Sequence, residues 1–156
     1  MLNIGLYKDA FKHLEGVQTT SYFKDETEMQ AETHRLKGKG YLILKLFRQA
    51  IQEFQLQLSC AKVLKGDLQK KSYIKAYANL STVFSRLDKP DSVFKYIQLQ
   101  LEGLRGLDEK ENVLLHIAVY DDLGTFYTKK GDFVKAELNL KKSLALIEKY
   151  KAPIFY

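Results

Sequence analysis

The sequence predicts an all-α fold, a solenoid of antiparallel helix hairpins with about seven helices. Three observations predict it. Apolar residues recur at helical spacing along most of the 156-residue chain, the mark of helices with one buried face. Residues 120–144, YDDLGTFYTKKGDFVKAELNLKKSL, read as one complete helical hairpin. The key residues of that hairpin then recur upstream at a fixed step of 43 residues, within the range that marks stacked repeats.

The hairpin has a mechanical logic. Lys129 and Lys130 complement the dipole of a last helical turn, Gly131 suits the left-handed residue just past it, and Asp132 caps the next helix. Ile117, Tyr120, Leu123 and Tyr127 share one face of the first helix. Phe133, Ala136, Leu140, Leu144 and Ile147 share one face of the second. Two striped helices joined by so short a turn pack antiparallel.

The step of 43 links the small residues Gly38, Ser81 and Gly124 and the aromatics Tyr41, Phe84 and Tyr127. It also links Ala50, Val93 and Ala136, followed four residues on by Phe54, Ile97 and Leu140. This pattern of a small residue, an aromatic, a Gly-Asp-aromatic turn, then Ala and a large apolar residue resembles the tetratricopeptide-repeat family. The resemblance covers residues 25–150, closely in the last repeat and less so upstream. There Val93, Asp88-Lys89-Pro90 and Lys37 depart from the pattern. The step exceeds the family's usual 34 or so, as in long-period arrays of bacterial regulatory proteins. The resemblance implies a right-handed superhelix whose first helices line a concave groove.

Taken in order, Ala10, Phe11 and Leu14, with Tyr7, place a lone helix within residues 1–24, broken by Gly16 and Thr19-Thr20-Ser21. Asp25 with Glu28 reads as a capping pair opening the first repeat, residues 25–66, with helices over 25–44 and 46–65. Lys65-Gly66-Asp67 repeats the stop–start grammar of Lys130-Gly131-Asp132 and opens the second repeat, residues 67–107. Pro90 suits the first turn of that repeat's second helix. Gly106, Asp108 and Glu111 start the third repeat, residues 108–151, which ends before Pro153. The apolar tail, residues 152–156, is a poor solenoid cap, so the chain reads as a segment of a longer repeat protein; the alternatives are that the tail folds back over the last hairpin or that it makes a dimer contact.

Composition fits one helical domain with a core of its own. No apolar run reaches the length of a membrane span and no signal pattern opens the chain, so a cytoplasmic location is expected. The charge is +6, from 25 basic and 19 acidic residues, but the basic residues are dispersed and do not form a nucleic-acid patch. Cys60, the one cysteine, excludes an internal disulfide and reads as a buried, inert thiol.

Function is sought on the first helices. In the second repeat Tyr73, Ala76, Leu80, Phe84 and Leu87 form the apolar side, and Lys75, Asn79, Thr82 and Arg86 a stripe roughly opposite. One step of 43 maps this stripe onto Ala118, Asp122, Thr125 and Lys129, and onto Glu32, Leu36, Lys39 and Ile43. The resemblance implies that such stripes contact the ligand. The candidate groove is therefore Leu36, Lys39, Ile43, Lys75, Asn79, Thr82, Arg86, Asp122, Thr125 and Lys129. Asn79 can hold a peptide backbone, and Lys75 and Arg86 can bind a carboxylate or phosphate. Family members that hold the carboxylate ends of chaperone tails use a basic clamp. Ala118 and Asp122 stand where that clamp needs cations, which disfavours that ligand.

Catalysis is not expected. His13, His34 and His116 lie on three helices without metal-ligand spacing, and Cys60 has no base near it in sequence. Asp121 and Asp122 point about 100° apart on a helix and do not face one another. Gly38-Lys39-Gly40 lacks the context of a phosphate loop and reads as a close helix-packing point. The expectation is a non-catalytic protein- or peptide-binding module, without metal or cofactor, serving as the regulatory or scaffolding part of a larger protein. The alternatives are an oligomerisation segment and, less favoured, a nucleic-acid binder.

Overall fold

Seven helices run through residues 4–18 and 26–153, the part described by the computed structural model: α1 Ile4–Gln18, α2 Thr27–Ile43, α3 Phe47–Ala61, α4 Gly66–Arg86, α5 Pro90–Leu104, α6 Val113–Lys130 and α7 Phe133–Tyr150. No strand occurs among the described residues. Asp25 and the apolar tail from Ile154 lie outside them.

Three left-handed residues make the three hairpins. Lys45, Asp88 and Gly131 have φ of 59°, 52° and 76°, and they sit 43 residues apart. Each turn closes the same way. The backbone N–H groups of Leu46, Lys89 and Asp132 donate to the carbonyls of Tyr41, Phe84 and Tyr127, while those of Lys45, Asp88 and Gly131 donate to Leu42, Ser85 and Thr128. This paired closure is the Schellman arrangement, which satisfies carbonyls that a helix end otherwise orphans. Only the third turn has the glycine that this backbone favours. Asp132 caps α7 as the sequence predicts, its carboxylate accepting from the Lys135 N–H at 3.1 Å.

Helices α2 and α3, α4 and α5, and α6 and α7 pack most extensively, and α3 meets α4, α5 meets α6, and α1 meets α2. Core residues repeat at the same step. Ala50, Phe54, Leu80 and Val83 form one buried cluster, and Val93, Ile97, Leu123 and Phe126, each one step on, form another. Ile74, Leu104, Leu107 and Val119 make a third. The small residues are packing points, as read from Gly38-Lys39-Gly40. A Cβ on Gly38 would lie 2.4 Å from the Phe54 ring, one on Gly124 2.6 Å from Leu140, and one on Gly40 2.7 Å from the Phe11 ring.

Some details differ from the sequence expectation. Helix α3 stops at Ala61 rather than 65, where the backbone tightens to i−3 bonds from Val63 and Leu64 and the Gln69 amide donates to the carbonyls of Ala61 and Lys62. Gly66 is left-handed, with φ of 58°, but Asp67 makes no cap and instead sits 3.9 Å from Lys70. Asp108 does accept from the Glu111 N–H, at 2.8 Å, but this forms an isolated turn and α6 begins only at Val113. The α7 stripe also differs. Helix α7 buries Ala136, Asn139, Ser143 and Leu146, while Phe133, Leu140 and Leu144 stay exposed. Leu140 packs on Gly124 of α6 along one edge and is open along the other, and Phe133 and Leu144 continue the same partly open stripe.

Candidate functional site

Helices α4 and α6 stand side by side with the start of α5 between them, and the groove they leave encloses about 420 Å³. Thr82, Ser85 and Arg86 line one wall, and Asp122, Thr125 and Lys129 the other. Val93, Ile97 and Phe126 contribute apolar lining. The helical period puts the two walls in register, because residues 43 apart occupy equivalent places on successive first helices. Lys129 joins the walls by donating from Nζ to the Ser85 hydroxyl at 2.7 Å.

The groove carries a positive rim. Arg86, Lys89, Lys129 and Lys130 line it against two carboxylates, Asp88 and Asp122. Among the described residues Arg86 and Lys89 make no ion pair, so their charge is available to a ligand. Lys130 lies over the Phe126 ring, 5.2 Å from its centroid. The Thr82 hydroxyl donates to the Ala78 carbonyl at 3.0 Å, so its oxygen is still able to accept a hydrogen bond.

Asp122 is the unusual member. Burial pushes its carboxyl up to about 6, against a hydrogen bond from the Gln100 amide that favours the ionised form, and the charge of Asp121 pushes the same way as burial. Gln100 Nε2 lies 3.4 Å from Asp122 Oδ2. The groove therefore holds a carboxylate that gains a proton under mildly acidic conditions.

Of the ten residues singled out from sequence, five line this groove: Thr82, Arg86, Asp122, Thr125 and Lys129. Lys75 instead lines a second hollow of about 360 Å³ between α2 and α4, with Glu28, Glu32 and Lys71. Asn79 lines neither hollow, and Leu36, Lys39 and Ile43 are exposed on α2 outside both. The stripe is thus divided between two hollows at opposite ends of α4. Sequence reasoning missed the groove's floor and its turn, Ser81, Ser85, Lys89, Val93, Ile97 and Phe126. The signal was present in Ser81, Val93 and Ile97, all already placed by the 43-residue step. A groove between two first helices must have the intervening second helix as its base.

The remaining chemistry-bearing residues are held in local structure. His34 Nδ1 meets Glu53 Oε2 at 2.7 Å, tying α2 to α3. Burial lowers His116 below its ordinary value and raises the half-buried Cys60 thiol. Among the described residues no cluster of His, Cys, Asp and Glu could hold a metal ion, and no helix is long and apolar enough to cross a membrane.

Compared with known proteins, the chain matches no family model and no curated protein sequence. What the fold and the groove define directly is an all-helical chain of packed hairpins, with a positively rimmed cleft between the first helices of its second and third hairpins.

Proposed function

We propose that the chain is a tetratricopeptide-like solenoid that binds a protein or peptide partner in the groove between α4 and α6. In this reading it catalyses nothing and serves as the cytoplasmic regulatory or scaffolding part of a larger protein. The supporting observation is that one groove gathers cations without ion-pair partners, hydroxyl acceptors and an apolar floor along two parallel helices. An extended chain needs all three: backbone partners, pockets for apolar side chains and a charge that sets direction.

The charge pattern selects the ligand. Arg86, Lys89, Lys129 and Lys130 outnumber Asp88 and Asp122, so an acidic peptide with at least one apolar side chain fits best. The test is selection from a displayed random-peptide library on the wild-type chain, followed by rebinding to an Arg86→Glu, Lys129→Glu variant. Enriched acidic sequences that fail to rebind the variant support the groove. Sequences that rebind equally well, or no enrichment, refute the assignment.

A further inference from the structure

The second hollow, of about 360 Å³ between α2 and α4, shares no lining residue with the α4–α6 groove. Its two walls carry opposite charge. Glu28 and Glu32 stand on α2, and Lys71 and Lys75, each one 43-residue step on, stand at the equivalent places on α4. Among the described residues no ion pair crosses the gap. Glu32 is held instead by Arg35, whose guanidinium donates to both carboxylate oxygens. The Arg35 bond lowers the Glu32 carboxyl against burial, and the Lys75 charge lowers it further from across the gap. Glu28, Lys71 and Lys75 make no ion pair among the described residues, so charges of both signs are open to whatever lies between the walls.

Gln57 of α3 is a second, independent sign of a ligand. It lines the hollow, is 1% exposed, and donates from Nε2 to the Ser72 carbonyl at 3.3 Å. Its Oε1 is buried with no hydrogen-bond partner among the described residues. A buried amide oxygen left unsatisfied costs the fold its lost hydration, and an N–H donor on a ligand is the group that would satisfy it. Ala31, Leu64 and Leu68 supply apolar lining beside these polar groups. An apolar wall with a few convergent polar groups is how small-molecule sites hold a ligand's body and orient its ends.

We infer that this hollow binds a small zwitterion, an α-amino acid with an apolar side chain. Its carboxylate meets Lys71 and Lys75, its ammonium meets Glu28 and the Gln57 oxygen, and its side chain lies on Leu64 and Leu68. Both charges are thus met by charge-assisted hydrogen bonds, one from each side of a short frame. The site is separate from the peptide groove and does not depend on it, so either can fail alone.

Titration of L-leucine into the isotope-labelled chain, followed by amide NMR, tests the site. Saturable shifts are expected in α2, in the first half of α4 and in the turn between α3 and α4, and not along α6. N-acetyl-L-leucine and L-leucine amide each lack one of the two charges and should bind at least about tenfold more weakly. They also imitate the two ends of a peptide, so their failure separates a free amino acid from a chain terminus. Gln57→Met should weaken L-leucine by a similar factor. Because Gln57 is buried, the double variant Glu28→Gln, Lys71→Gln tests the charges without touching the core, and it should lose the same affinity with unchanged helical circular dichroism. Absence of any saturable shift overturns the inference. So does equal affinity for the capped derivatives, or L-leucine binding that the double variant leaves unchanged.

Discussion

Lys129 on α6 donates a 2.7 Å hydrogen bond to the hydroxyl of Ser85 on α4, joining the two walls of the groove. The bond is exposed, so water competes for both partners and its net contribution is small. Ser85→Ala is expected to change unfolding free energy by less than about 0.5 kcal/mol, read by urea titration. Lys129→Glu should weaken binding of an acidic peptide while leaving the fold as stable. A large stability loss from Ser85→Ala would mean that the two walls depend on this contact.

The turns give a sharper test. Lys45 and Asp88 hold the left-handed backbone that Gly131 holds in the third hairpin, and a side chain there costs about 1–2 kcal/mol, less for Asp. Lys45→Gly should therefore raise stability by about 1 kcal/mol even after the added freedom of the unfolded chain, and Asp88→Gly by less. Gly131→Ala should lower it by about 1 kcal/mol or more. Chemical denaturation of the three variants gives the ordering directly.

Two glycines should respond unequally to the same substitution. Gly38 lies against the fully buried Phe54 ring, which has nowhere to go, whereas Gly124 lies against Leu140, which is part-exposed and flexible. Gly38→Ala is expected to cost about 1–3 kcal/mol, as overpacking does, and Gly124→Ala clearly less. Thermal unfolding followed by circular dichroism compares them.

Asp122 links stability to pH. Its folded value, about 6, stands above its ordinary 3.8, so the folded state holds the proton more tightly than the unfolded one. Its favourable contribution is complete below pH 4 and is lost as pH rises through 6, to a total of up to about 3 kcal/mol. Asp122→Asn should therefore stabilise the chain at pH 7.5 and confer much less advantage at pH 4. An acidic peptide should also bind the wild type more tightly at pH 5.5 than at 7.5. That pH dependence should vanish in the Asn variant.

The repeat was legible because its signals are local. The small residues Gly38, Ser81 and Gly124 and the aromatics Tyr41, Phe84 and Tyr127 recur in the sequence at one spacing, and Gly131-Asp132 marks the third turn with residues whose mechanical roles the structure realises. The first two turns were harder to read, since Lys45 and Asp88 adopt a backbone that their side chains disfavour, held there by the packing of the hairpins on either side. The start of α6 was misread because Asp108 caps a turn that does not continue as a helix. At the groove, the helical period placed Thr82, Arg86, Asp122, Thr125 and Lys129 on one surface. It could not say that Lys75 belongs to a different hollow or that α5 provides the floor, because those depend on how far apart α2, α4 and α6 stand. The proton affinity of Asp122 was equally hidden, since it follows from burial, which the Gln100 hydrogen bond only partly opposes.

The most direct measurement is calorimetric titration of an acidic peptide, selected on the wild-type chain, into the wild type and into the Arg86→Glu, Lys129→Glu variant at neutral pH. The groove assignment predicts saturable binding to the wild type and a loss of at least about tenfold in the variant, with the melting transition unchanged. Equal affinity for both proteins would contradict it.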